Sequence, residues 1–301
     1  MDQAVGLRSR LKSSPYMPSD IGRCNSCAGN HIPRVISFTS GKGGVGKTNV
    51  VANLAFALSR KGKRVLVLDA DLSLANIDIL LGLAPKYTMR HVFSGEKTLD
   101  EILVEGPGGM RIMPASSGVQ ELADLSESQK LYLLNELEGL RNCIDILIID
   151  TAAGISSNVI YFNLASHERV VIVTPEPTSI ADAYALIKIL STKHDIKRFS
   201  ILVNLAVTEA EAESVFKRLS MVTDRFLGSM SLDYWGLIPH DACIPRAVKK
   251  QRVVVDLYPE ASSSRRFVEL AESICNRNYD DRSDGNIKFF WKNLLQAPGA
   301  L

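Results

Sequence analysis

Ser40-Gly41-Lys42-Gly43-Gly44-Val45-Gly46-Lys47-Thr48 decides the fold of this chain. It follows an apolar run, Val35-Ile36-Ser37-Phe38, that reads as a buried strand, and it precedes Val50, Leu54, Ala57 and Leu58 at helical spacing. From Gly41 the spacing is G-x-x-x-x-G-K-T, the P-loop, in which glycines let backbone N–H groups approach phosphate oxygens with no side chain in the way. The N-terminus of the following helix adds its dipole. Lys47 is then expected to reach the β- and γ-phosphates and the Thr48 hydroxyl to meet Mg²⁺, so that residues 41–49, Asn49 included, hold a nucleoside triphosphate with its metal. A plain Gly-rich turn is the competing reading, and the strand before and the helix after argue against it.

Working outward, Arg64-Val65-Leu66-Val67-Leu68 is a second continuous apolar strand, as a parallel sheet covered on both faces requires. It delivers Asp69-Ala70-Asp71 to the sheet edge where ligands bind, so the two carboxylates are expected beside the phosphates, with a helix N-cap as the structural alternative. Residues 86–109 carry no visible chemistry; Gly106 to Gly109 reads as a turn before a strand at Met110 to Met113, and a helix is expected over Ser126 to Leu140. Asp145-Ile146-Leu147-Ile148-Ile149-Asp150 is a third long strand ending in an acid. A carboxylate in that position is the Walker B arrangement and holds the metal's coordination sphere, and the small residues Thr151 to Gly154 allow close approach to a γ-phosphate. Further strands are expected at Arg169 to Val173, Phe199 to Leu205 and Tyr234 to Ile238. A helix over Ser179 to Ser191, with Tyr184 and Ile187 on its core face, continues the alternation. The fold class is therefore α/β, a doubly wound, mostly parallel sheet.

At 301 residues and a net charge of +2, the chain suits one large domain with tails and does not demand a polyanionic partner. No apolar run of about 18 residues or secretion signal is apparent, and the five scattered cysteines suit reduced thiols, so a cytoplasmic setting is expected. Cys24-Asn25-Ser26-Cys27 with His31 offers too few ligands for a closed zinc site and reads as a linker with two thiols. Arg246, Lys249, Lys250 and Arg252 could meet DNA or anionic lipid, with a solvated face as the plainer reading.

Lys42 is a second lysine at the start of the loop, and from Lys42 to Thr48 the sequence resembles the deviant Walker A motif, K-G-G-x-G-K-T, of the MinD/ParA ATPases. That resemblance implies slow ATP hydrolysis in a homodimer that ATP closes, with Lys42 reaching the partner's phosphates and Lys42, Lys47 and Asp71 as catalytic residues. It implies that Asp71 positions the attacking water, that Asn76 and Asp78 belong to the first switch, and that Asp150-Thr151-Ala152-Ala153-Gly154 is the second. Thr48, Asp69 and Asp150 become the metal residues. Asn204 matches the asparagine that reads adenine, a task suited to an amide able to donate and accept at once; Pro239 and Asp241 match the loop beneath the base. Iron-protein relatives need a cysteine just after the Walker B acid, and none occurs between Asp150 and Phe162.

Both ends narrow the resemblance. Asp2-Gln3-Ala4-Val5-Gly6-Leu7-Arg8 is similar to the D-Q-A-x-x-L-R motif of the FlhG (FleN) branch, whose N-terminus stimulates the SRP-type GTPase FlhF and which controls flagellar number and placement; Asp2, Gln3, Ala4, Leu7 and Arg8 are the implied contacts. A frayed terminus is the alternative reading of so short a segment. At the other end a polar linker, 278–286, precedes Ile287-Lys288-Phe289-Phe290-Trp291-Lys292-Asn293-Leu294-Leu295. On a helical wheel Ile287, Phe290, Trp291, Leu294 and Leu295 share one arc, resembling the helix by which such ATPases bind anionic lipid at the inner face of the cell membrane. The expected organisation is an extension over 1–33, an ATPase domain over 34–277 and a membrane-targeting tail over 278–301. A division-site regulator of the MinD type, a DNA segregator of the ParA type and a metabolic P-loop ligase are the competing functions. Flagellar C-ring components or a transcription regulator are further candidate partners.

Overall fold

The computed structural model describes residues 33–71, 76–88, 91–92, 94–113, 139–140, 143–228 and 230–277. The N-terminal motif, Cys24, Cys27, His31, nearly all of the helix expected over 126–140, and the C-terminal amphipathic stretch lie outside the described residues.

Among the described residues, eight strands form one sheet in the order β3-β4-β2-β5-β1-β6-β7-β8. They are β1 Arg34–Ser40, β2 Val65–Ala70, β3 Val104–Glu105, β4 Arg111–Met113, β5 Ile146–Ala153, β6 Glu168–Val173, β7 Arg198–Ala206 and β8 Ser231–Pro239. Every pairing is parallel except β3 with β4. All seven strands expected from apolar runs are present. The eighth, β3, is a two-residue antiparallel edge with no periodicity to betray it.

The continuous apolar runs are explained by helices on both faces. On one face lie α1 (Lys47–Arg60), α7 (Cys243–Lys249), α8 (Val254–Leu257) and α9 (Ser262–Asn276), packed over Ile36, Phe38, Val67, Ile148 and Ile172. The other face carries α4 (Ser157–Ala165), α5 (Pro177–His194) and α6 (Glu209–Leu227), over Val35, Ile149, Val171 and Val203. Two short helices, α2 (Ile77–Leu80) and α3 (Leu99–Ile102), sit in the crossover between β2 and β4, and α3 opens with a reciprocal capping box between Thr98 and Glu101. Alanines 52, 55 and 57 of α1 are fully covered, small enough to let that helix lie close against both its sheet and α9.

The strand order places β1 centrally. From it the chain crosses over β5 to β2 on one side and later builds β6, β7 and β8 on the other. The C-terminal end of β1 is thus a topological switch point, where an open α/β sheet leaves a crevice for ligand. The Gly-rich loop opens there.

Candidate nucleotide-binding and hydrolysis site

The loop's conformation needs its glycines. Gly44 and Gly46 have φ of 80° and 82°, in the left-handed region, and Gly46 caps α1 without a side-chain acceptor, so the first-turn N–H groups stay available for an anion. Gly41 needs glycine for space: a Cβ there would lie 2.2 Å from backbone atoms of Asp182 in α5. Ser40 fixes the loop's entry, its hydroxyl donating to the Lys42 carbonyl at 2.9 Å.

The two lysines of the loop sit in opposite environments. Lys47 is buried and ion-paired to Asp150 at the end of β5. Lys42 has a side chain 40% exposed and bonds within its own chain to Glu176 Oε2 at 2.6 Å and Thr178 Oγ1 at 3.2 Å, just before and within the first turn of α5. Neither Glu176, Thr178 nor Asp182 was singled out from sequence. The available signal was Pro177, whose fixed φ suits a helix's first turn and places a helix start beside the loop.

The acids converge as expected. Asp69 and Asp150 are register partners on β2 and β5, both almost fully buried. Burial, with Asp150 beside it, pushes the Asp69 pKa up to about 6. Burial also raises that of Asp150, against the pull of Lys47 and of the Thr48 hydroxyl. Asp150 Oδ2 is buried without a hydrogen bond. An orphaned carboxylate oxygen beside a threonine hydroxyl is a hard-oxygen pair that fits Mg²⁺. Asp71 is half-buried one step further along the edge. In the segment expected as the second switch, Thr151 Oγ1 donates to the Phe38 carbonyl at 3.1 Å and Gly154 N–H to that of Ser40 at 2.9 Å, tying this segment back to the loop.

The residues expected at the base carry a refinement. Asn204, 4% exposed, donates from Nδ2 to the Val45 carbonyl at 2.7 Å, while its Oδ1 is buried and unpartnered. One N–H of the amide is spent on holding the loop, and the buried Oδ1 is left there as an open acceptor. An exocyclic amino group such as adenine's N6 satisfies it; a carbonyl there does not. The Asp241 carboxylate is committed to structure. Although burial raises its pKa, hydrogen bonds from Cys243 N–H, Ser263 N–H and the Ser262 and Ser263 hydroxyls hold it well below the usual carboxylate range. It therefore shapes the loop after Pro239 by joining the starts of α7 and α9. Asn49 accepts from Asn53 Nδ2 at 3.0 Å, and Asn53 Oδ1 accepts from Val255 N–H, which links the helix behind the loop to α8. Arg246, Lys249, Lys250 and Arg252 are exposed, with Arg252 paired to Asp256.

Residues 33–202 match a family model described as an AAA domain. The antiactivator FleN of Pseudomonas aeruginosa is 45% identical over 268 residues, spanning 89% of this chain and 95% of the relative. The flagellum site-determining protein YlxH of Helicobacter pylori is 33% identical over 269 residues, or 88% and 91% of the two. Among solved structures, the cell division ATPase MinD of Pyrococcus furiosus superposes with a TM-score of 0.63 at 25% identity, covering 81% of this chain and 98% of that one. With the deviant loop, the paired acids Asp69 and Asp150 and these relatives in one chain, the protein belongs to the MinD/ParA family of P-loop ATPases and stands within it beside FleN and YlxH.

Proposed function

We propose that this ATPase is a nucleotide-driven switch that regulates flagellar number and placement. It binds ATP with Mg²⁺, closes as a homodimer, and reopens after slow hydrolysis. The observation that carries the switch is the division between the two lysines. Lys47 faces inward to the Walker B acid, whereas Lys42 stands on the lip of the loop, held by exposed contacts with Glu176 and Thr178. An inward lysine serves its own phosphates; a lysine on the lip is free to serve a second subunit's. The flagellar role rests on the similarity to FleN and YlxH over nearly the whole of both chains.

In this mechanism Lys47 exchanges Asp150 for the β- and γ-phosphates, and the loop N–H groups take up charge on the oxygen that leaves with ADP. Asp71 accepts a hydrogen bond from the attacking water and directs it in line as its oxygen bonds to phosphorus and the bond to ADP breaks. Thr48 and Asp150 would hold Mg²⁺, which when bound would supply positive charge beside the phosphates. Turnover of about 10⁻⁴ to 10⁻² per second is expected without a partner. The N-terminal motif is proposed to stimulate FlhF, and the tail from Ile287 to Leu295 to attach the ATP dimer to anionic membrane, where two weak helices on one dimer act together.

Sedimentation with a nonhydrolysable ATP analogue tests the switch: Lys42→Ala should bind nucleotide yet stay monomeric, and a Lys42→Ala protein that dimerises like its parent overturns the reading. For the ends, residues 1–20 as a peptide should raise GTP hydrolysis by FlhF. A chain ending at Gly285 should lose ATP-dependent sedimentation with phosphatidylglycerol vesicles.

A further inference from the structure

Asp69 makes contacts that a plain metal ligand does not need. Its carboxylate is 2% exposed and accepts three backbone N–H groups, from Asp71 to Oδ1 at 3.1 Å and from Asn76 and Ile77 to Oδ2 at 3.1 and 3.3 Å. Ile77 is the first residue of α2 and is itself fully buried. A single side chain fixed in β2 thus grips both ends of the segment between Asp71 and α2, and one end is the backbone of the residue assigned to the water.

The neighbouring acid is placed differently. Asp150, in register with Asp69 on β5, receives Lys47 on one oxygen and leaves the other without a hydrogen bond. Mg²⁺ takes few carboxylates and keeps strict geometry. Of two adjacent acids, it should use the one with a wholly unspent oxygen, since both oxygens of Asp69 already accept backbone amides.

We propose that Asp69 is a positioning residue for ATP hydrolysis, acting through Asp71 by clamping the two ends of the first switch, and not a direct metal ligand. This rests on the assignment of Asp71 to the attacking water. Clamped, the Asp71 carboxylate starts from a fixed backbone; unclamped, it samples orientations in which water is not directed, and small misplacements of this kind cost rate rather than affinity.

The test is Asp69→Asn in the full chain. The amide must turn an NH₂ toward either the Asp71 N–H or the Asn76 and Ile77 N–H groups, so one end of the clamp opens while size is kept. Turnover should fall at least tenfold. The KM for ATP and the Mg²⁺ concentration that half-saturates binding of the ATP analogue should stay within twofold. Asp150→Asn, in contrast, should raise that Mg²⁺ requirement about tenfold. Asp69→Glu keeps the charge but displaces the oxygens, and should show the same loss of turnover with unchanged Mg²⁺ dependence; it also serves if the asparagine variant does not fold. Parental turnover in either variant, or a Mg²⁺ requirement that rises as in Asp150→Asn, overturns the proposal. The Asp71 assignment fails separately, if Asp71→Ala hydrolyses ATP at the parental rate.

Discussion

Lys47 and Asp150 form a buried ion pair across 103 residues of sequence, the ammonium on one carboxylate oxygen and the other oxygen without a hydrogen bond. The pair holds each charge in place of the ligand that charge is meant for. Removing the lysine alone strands a carboxylate in the core, which costs about 3 to 5 kcal/mol. Lys47→Ala should therefore lose both ATP binding and stability, while Lys47→Ala with Asp150→Asn should recover most of the stability and none of the binding. Urea unfolding of the two variants without nucleotide measures this; equal midpoints would show that the pair is not what stabilises the site.

Gly41 is pressed against α5. A Cβ there meets the Asp182 backbone at 2.2 Å, and main chain in mid-helix cannot swing aside as a side-chain tip could. Gly41→Ala should cost about 2 kcal/mol or more through overpacking. Gly43 is exposed, its nearest neighbour is the Ala153 Cβ at 4.0 Å, and its φ is not in the left-handed region. Gly43→Ala should stay within about 0.5 kcal/mol of the parent. Thermal unfolding of both variants decides whether this contact, beyond any phosphate, requires the first glycine.

The Asn204 amide, with one N–H spent on Val45 and its Oδ1 buried and unpartnered, should discriminate between purines. A base that presents a carbonyl to the buried Oδ1 leaves it unpaired, a loss of about 1 to 3 kcal/mol, so ATP should bind about tenfold or more tightly than inosine triphosphate. Asn204→Ala should weaken ATP and shrink that preference. Titration with both nucleotides would reject the assignment if the ratio survives the substitution.

Much of this arrangement was legible because a doubly covered parallel sheet writes long apolar strands, and its chemistry must sit where they end. Asp69, Asp71 and Asp150 were placed on one edge by that logic alone. The strand β3 escaped because two residues carry no period. The partners of the site residues escaped for another reason: Glu176 for Lys42, Asp182 against Gly41, and Ser262 and Ser263 for Asp241 are fixed by how α5 and α9 pack. Local pattern assigns a residue to an edge, and only tertiary packing says whether its polar atoms remain free once there. Asn204 and Asp241 show this most clearly, since both were expected at the base and both arrive with polar atoms already committed.

His167 sets an acid limit on the fold. It is 7% exposed, and its Nδ1 accepts the Val35 N–H at 2.9 Å at the start of the central strand, a bond that requires this nitrogen to be unprotonated. Burial, reinforced by Arg169 and Arg34, lowers its pKa from 6.5 to about 4. The unfolded chain then binds a proton below about pH 6.5 that the folded chain refuses until about pH 4. Stability from this group is complete above the upper value and falls with pH through the window, by about 2 kcal/mol at pH 5. Asp69 works in the opposite direction, because its raised pKa makes ionisation unfavourable as pH climbs from about 4 to about 6. The two must be separated by difference. His167→Gln keeps an acceptor for Val35 without a titrating proton and leaves Asp69 in place. The parent's advantage over His167→Gln should accordingly shrink by about 2 kcal/mol between pH 7.5 and pH 5 in urea unfolding. Parallel stability profiles for the two proteins would mean that His167 titrates alike in the folded and unfolded chains.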